Sequence, residues 1–320
     1  PPRSNLFPYP TLFRSTTIGF ERALREGLAS YRRRLRERRE RGGLDPEQHE
    51  FLDAMEECLD AMAIWHRRLL DGLEELGLDE VRARLFRVPE QPPETFGEAV
   101  QALWFLWEFQ RLCGNWSGLG RVDKMLGPYL ARDLADEAIT LDEARELLAH
   151  FWIKGAEWIG AKNSHIGSSG DAQFYQNVVL GGVDEEGVPV LNEVTDLVLD
   201  IVEELHISDF PVAVRVGGHT PARIWRRVAD IQRLGGGIVS IYNDEVVIPA
   251  LVDFGYPLAE ARNFANDGCW EVLIPGCTAF SYRPFDLLPT LQRTLGLDHD
   301  GPPPADRSEE HTSELQSPNT

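Results

Sequence analysis

Asn266-Asp267-Gly268-Cys269-Trp270-Glu271 is the stretch on which the reading turns. It follows a short helix-like segment, Leu258 to Phe264, and precedes a run that ends at Pro275-Gly276. In extended backbone, residues two apart point to one side. Cys269 and Glu271 would then share a space, with Trp270 turned away. Gly268 lets the chain approach another group closely or adopt positive φ. A thiol and a carboxylate facing one cavity form a usable catalytic pair, because a carboxylate against an apolar wall holds its proton more tightly and can exchange it. The plain alternative is a core cysteine beside a solvated glutamate.

Outward from that stretch, strands alternate with helices. Phe174 to Leu180, Pro211 to Val216 and Ile238 to Ile241 are expected strands, the first ending at Gly181-Gly182. Asn192 caps a helix Glu193 to Leu205. Thr220-Pro221 opens Ala222 to Leu234 with cap and first-turn proline, Gly235-Gly236-Gly237 ends it, and Asp244 to Phe254 is a further helix. This alternation predicts an α/β arrangement with a covered sheet or barrel.

The first half reads as helical. Ile18 to Arg41 is one charged amphipathic helix stopped by Gly42-Gly43. Asp45-Pro46 starts the next, which runs to about Leu70, and a further stretch reaches Phe86. Val88 to Pro93 breaks the pattern. Thr95 caps an aromatic-rich helix with Trp104, Phe105, Trp107 and Phe109, apolar nearly all round and so buried. Thr140-Leu141-Asp142-Glu143 is a capping-box pattern before Ala144 to Ile159.

The net charge is −20, which argues against nucleic-acid and anionic-membrane partners. The basic run from Arg32 to Arg41 alternates with Glu and reads as a solvated helix face. The four cysteines, Cys58, Cys113, Cys269 and Cys277, make no C-x-x-C pair and no disulfide framework, which fits a reducing, cytoplasmic setting. Cys277 stands eight residues after Cys269, a spacing that suits no zinc site; no metal is expected. His165, His206 and His219 show no ligand pattern, and no apolar run is long enough to span a bilayer.

Pro1 to Ser15 and Arg307 to Thr320 lack periodicity. Both resemble translated sequencing-adapter read-through and are set apart as non-native tails. Residues 16–306 are then expected to be an internal piece of a longer protein, mainly helical over 16–160 and α/β over 161–306.

Gly268-Cys269-Trp270-Glu271 resembles the G-C-x-E of the glycyl radical enzymes, the family of pyruvate formate-lyase, glycerol and diol dehydratases, choline and isethionate lyases and aryl-acetate decarboxylases. Other segments match in order. Ser117-Gly118-Leu119-Gly120-Arg121-Val122-Asp123 is similar to the family's S-x-G-R-x-D and Trp152-Ile153-Lys154 to its W-x-K. Leu180-Gly181-Gly182 with Asn192-Glu193-Val194-Thr195 is similar to L-G-G and N-E-x-T. Gly235-Gly236-Gly237 with Asn243-Asp244-Glu245 is similar to G-x-G and N-D-E.

The resemblance implies part of a ten-stranded α/β barrel, built from two antiparallel five-stranded halves and wrapped by helices, with the cysteine loop reaching its centre. It implies radical chemistry in which Cys269 becomes a thiyl radical and Glu271 is the general base. Ser168, Ser169, Asp171, Phe174 and Trp270 are the implied substrate contacts. The radical-storing glycine is expected in a C-terminal region beyond this chain, installed by a radical S-adenosylmethionine activating enzyme, so the isolated chain would be inactive. The implied partners are that enzyme, a small-molecule substrate and, at full length, a second copy. Pyruvate formate-lyase uses two adjacent cysteines, whereas Gly268 precedes Cys269 here; elimination or decarboxylation is favoured over formate acetyl transfer. Val272 replaces the proline that many eliminating members carry, and Trp270 a common valine. A non-radical thiol hydrolase and a non-catalytic scaffold are the remaining alternatives.

Overall fold

The computed structural model describes residues 17–112, 118–155, 177–207, 211–235, 239–267, 271–278 and 287–294. The helical half begins with α1 (Phe20–Glu26) and α2 (Leu28–Glu40), not with one helix. The break is Gly27, at φ +69°, where a Cβ would stand 2.5 Å from the Glu90 carbonyl oxygen. Leu28 and Ala29 donate their N–H groups to Pro89 and Glu90 there, a long-range contact that no local pattern announces. The basic face of α2 pairs with acids of α3 (Pro46–Glu75): Arg32 with Asp60 at 2.6 Å, Arg39 with Asp53 at 2.7 Å.

Helix α3 starts on the Asp45–Gln48 capping box. It is followed by α4 (Asp79–Arg87) and the buried α5 (Phe96–Leu112), in which Phe96, Leu103, Phe105 and Trp107 are inaccessible. Thr95 accepts from Glu98 N–H, as its capping role requires. Strand β1 (Gly120–Arg121) leads into α6 (Val122–Ala135), a helix that the sequence pattern hides because Gly127 and Pro128 interrupt it. The Gly127 gap is needed: a Cβ there would meet Asn192 Nδ2 at 2.4 Å. Helix α7 (Leu141–Gly155) opens on the reciprocal Thr140–Glu143 cap; the expected continuation to Ile159 lies outside the described residues.

Strand β1 joins three strands of the second half in a parallel sheet in chain order: β1, β2 (Val178–Gly181), β3 (Val212–Val216) and β4 (Val239–Asn243). Parallel neighbours need long crossovers. Helix α8 (Glu193–Leu205) connects β2 to β3, and α9 (Ala222–Gln232) connects β3 to β4. Asn192 and Thr195 form the reciprocal cap of α8. Thr220 is not the cap of α9: Pro221 occupies that position, and the Thr220 hydroxyl accepts from Gly217 N–H. The expected strand from Phe174 begins, within the described residues, at Val178.

After β4 come α10 (Asp244–Asp253), α11 (Leu258–Arg262), an antiparallel pair β5 (Ala265–Asp267) and β6 (Glu271–Leu273), and α12 (Leu287–Thr294). The sheet has two different faces. Val178, Leu180, Val212, Val214 and Val216 point into the large core formed with the helices. Val179 and Ala213 point the other way, to Ala265, Leu273 and Tyr242. The β5–β6 pair therefore lies on the inner face of a helix-wrapped sheet, as in a partial barrel.

Candidate active-site hairpin

The inner face mixes small residues, which let a hairpin approach, with Val179, Arg215 and Tyr242, which contact it. Gly181, Ala213 and Ser240 alternate with the apolar residues of the outer face along β2, β3 and β4. The hairpin has a root and a tip. At the root, the Phe264 carbonyl accepts from Arg215 Nη1 at 2.9 Å, near the C-terminal end of β3. At the far end Asp267 lies against Gly118, ahead of β1: a Cβ on Gly118 would meet its Oδ1 at 3.1 Å. So β5 runs against the direction of the sheet.

The register pairs Ala265 with Leu273, Asn266 with Val272 and Asp267 with Glu271. Residues directly opposite in an antiparallel ladder share a face, with Cβ atoms about 4.5–5.5 Å apart. Glu271 is half-buried and Asp267 is 0% exposed. The two carboxylates thus flank, across the ladder, the connection 268–270 that contains Cys269. Sequence reasoning assigned no role to Asp267. Its place opposite Glu271 follows from pairing register, which the spacing alone does not specify.

Several motif residues make a buried polar lattice at the C-terminal end of the sheet. Asp123, also 0% exposed, accepts from Gly181 N–H at 2.7 Å, Thr195 Oγ1 at 2.8 Å and Lys124 N–H at 2.8 Å. Burial pushes its carboxyl above the usual range, against the pull of these donors and Arg121. Arg121 donates to the carbonyls of Gly181 (2.9 Å) and Val183 (2.8 Å) and to Asn263 Oδ1 (3.1 Å). Burial, reinforced by the charge of Arg215, lowers its pKa to about 10. Arg215 grips Asp244 with both nitrogens of its fork, Nε and Nη2, at 2.8 and 2.9 Å. Its pKa is lowered by burial, with Asp244 opposing. Gly181 and Gly182 stand at φ +71° and +76°; a Cβ on Gly182 would collide with Arg215 Nε at 2.5 Å. Gly182 thereby makes room for a guanidinium, whereas a Cβ on Gly181 would meet the Arg215 backbone carbonyl oxygen at 2.8 Å.

Of the expected site residues, Glu271 is placed on β6. Cys269 and Trp270, and the expected substrate contacts Ser168, Ser169, Asp171 and Phe174, lie outside the described residues, as does His165. His206 closes α8 in the left-handed region at φ 50°. Cys58 and Cys277 are exposed. No helix among the described residues is long and apolar enough to cross a membrane.

Comparison with known proteins agrees with this architecture. The pyruvate formate lyase-like family matches residues 14–294. An isethionate sulfite-lyase of Nitratidesulfovibrio vulgaris is 32% identical over 279 residues, which are 80% of this chain and 34% of that protein. A trans-4-hydroxy-L-proline dehydratase of Clostridioides difficile is 26% identical, with 78% and 34% covered. The chain thus spans about a third of the length of the curated relatives that it matches. Among solved structures, one describing 1,2-propanediol dehydration in Roseburia inulinivorans superposes with a TM-score of 0.76 at 26% identity, over 83% of this chain and 36% of that one. The B12-independent glycerol dehydratase of Clostridium butyricum gives 0.73 at 26% identity, over 82% and 35%. This chain belongs to the pyruvate formate lyase-like family of glycyl radical enzymes.

Proposed function

We propose that the hairpin carries the thiol and the base of a radical elimination, acting on a small metabolite with a hydroxyl beside a leaving group. The observation that carries this reading is the ladder register, which sets Glu271 opposite buried Asp267, immediately after the connection that holds Cys269. A dry contact supports the reading, since Ala265 and Leu273 of the hairpin pack on Val179 and Ala213 of the sheet. A glycyl radical, introduced by an activating enzyme with S-adenosylmethionine, supplies the acceptor for the Cys269 hydrogen atom.

The remaining steps belong to this chain's residues. The Cys269 sulfur takes a hydrogen atom from the hydroxyl-bearing carbon and becomes a thiol again. Glu271 takes the hydroxyl proton, which makes that carbon electron-rich. The neighbouring group leaves with its electron pair as the C=O bond forms. The product radical then recovers a hydrogen atom from the Cys269 thiol. The net result is one carbonyl compound and one released group, such as water or sulfite. Isethionate, glycerol and propane-1,2-diol, named for the relatives and neighbours, each carry a hydroxyl beside a leaving group and define the panel to try.

The test is anaerobic turnover by the protein expressed from its native gene, with activating enzyme and S-adenosylmethionine. Cys269→Ala should abolish product. Glu271→Gln should lower turnover by about 10²–10⁴-fold, the range of a lost general base, while substrate C–H exchange with deuterated solvent persists. Turnover that survives Cys269→Ala would sink the reading.

A further inference from the structure

We infer that Arg215 is a positioning residue for the Cys269–Glu271 hairpin, holding its root so that thiol and carboxylate meet a substrate in one geometry. The inference rests on the radical-elimination reading for its chemistry, but its structural basis is independent. Arg215 is 1% exposed and belongs to β3, not to the hairpin. Its Nη1 donates to the Phe264 carbonyl at 2.9 Å, and its Cζ stands 3.8 Å from the centre of the Phe264 ring. One side chain therefore fixes both the backbone and the side chain of the residue just before β5.

A guanidinium is a demanding choice for this place. Burying it forfeits hydration, and its charge must be matched by Asp244, whose own side chain is 5% exposed. The fold also gives up a side chain at Gly182 to admit it. An aliphatic residue would fill the space with none of these demands. The guanidinium adds direction: a planar fork locked on Asp244 leaves Nη1 aimed at a single acceptor. A shift at Phe264 would travel, because β5 and β6 are joined as an unbroken ladder from Ala265–Leu273 to Asp267–Glu271. The neighbouring root residue is held separately, with Asn263 Oδ1 accepting from Arg121 at 3.1 Å and Lys124 at 3.0 Å. Asn266 donates to the Tyr242 hydroxyl at 3.4 Å. Among these contacts only that of Arg215 combines a fork, a stacked ring and a backbone carbonyl.

Two variants test the inference. Arg215→Lys keeps the charge and loses the fork and the stack. Phe264→Leu keeps the carbonyl and loses the ring. In the protein expressed from its native gene, Arg215→Lys should lower kcat by about 10²-fold, the scale of a misplacement near 1 Å. KM should change less than about threefold, with radical content per protein unchanged. Phe264→Leu should lower kcat by about tenfold in the same way. In this chain, iodoacetamide labelling of Cys269 relative to exposed Cys58 should change at least about fivefold in Arg215→Lys, read by mass spectrometry. In folded protein, a labelling ratio that does not move, a kcat within about twofold of wild type, or a kcat loss matched by lost radical each overturns the inference. If Arg215→Lys does not fold, Phe264→Leu decides in the same terms. Turnover that survives Cys269→Ala sinks the radical reading alone; turnover that needs Cys269 but ignores Arg215 and Phe264 sinks the positioning role alone.

Discussion

The two faces of strands β2 and β3 are made from alternate residues of one chain, yet they do different work. Outward, Leu180, Val212, Val214 and Val216 join a core that continues through α8, α9 and the helices of the first half. Inward, among the described residues, Val179 and Ala213 join a small cluster with Ala265, Leu273 and Tyr242. The outer face uses large branched side chains to gain apolar burial. The inner face sets the small residues Gly181, Ala213 and Ser240 beside Val179, Arg215 and Tyr242, which hold the hairpin. Stability is concentrated on one side and the candidate chemistry on the other, so damage to the two should be separable.

The largest effect should come from the outer face. Leu180→Ala empties a fully buried site and should cost about 2–5 kcal/mol, seen as a lower urea midpoint at unchanged slope. The Cys269 to Cys58 labelling ratio of the folded fraction should stay within about twofold. On the inner face, Ala213→Leu overpacks the contact with the hairpin and should cost less, about 1–3 kcal/mol, while altering Cys269 labelling more than Leu180→Ala does. If Leu180→Ala moves the labelling as much as Ala213→Leu, the faces are not independent and the comparison fails.

How much of this was legible depended on range. The caps at Asp45, Thr140 and Asn192 are local, and their partners three residues on stand in the sequence beside them. The strands β2 and β3 were found from composition, but not their faces. Every residue in them is buried, so no polar alternation marks inside from outside. Gly27 read as part of a helix because its reason, the Glu90 carbonyl, is far away in sequence. Gly181-Gly182 and Asn192-Glu193-Val194-Thr195 were recognisable as family marks, whereas their physical tasks needed coordinates: room for Arg215, and a cap whose Thr195 hydroxyl also donates to Asp123. Asp267 was quoted in the decisive stretch and given no role, since only strand register sets it opposite Glu271.

The smallest effect tests whether charge at the edge of the hairpin root matters as Arg215 does. Lys124 Nζ donates to Glu185 at 2.6 Å, Glu21 at 3.0 Å and Asn263 Oδ1 at 3.0 Å, and Glu185 remains partly open to solvent. Partial burial alone would raise the Glu185 carboxyl, but the hydrogen bond and charge of Lys124 outweigh it and hold it below the ordinary 4.5. A carboxyl lowered on folding stabilises the folded state above its unfolded pKa, and that contribution is lost as pH falls through the folded value. Lys124→Met should therefore cost less than about 1 kcal/mol near pH 7, the scale of a solvent-screened pair. The gap between variant and wild type should narrow as pH falls below about 4.5, followed by urea melts across that range. Turnover should stay within about twofold of wild type, because Arg121 still holds Asn263 and Arg215 still holds Phe264. A gap that widens on acidification would remove Glu185 from the account. A turnover loss as large as that of Arg215→Lys would spread the positioning role over the whole root.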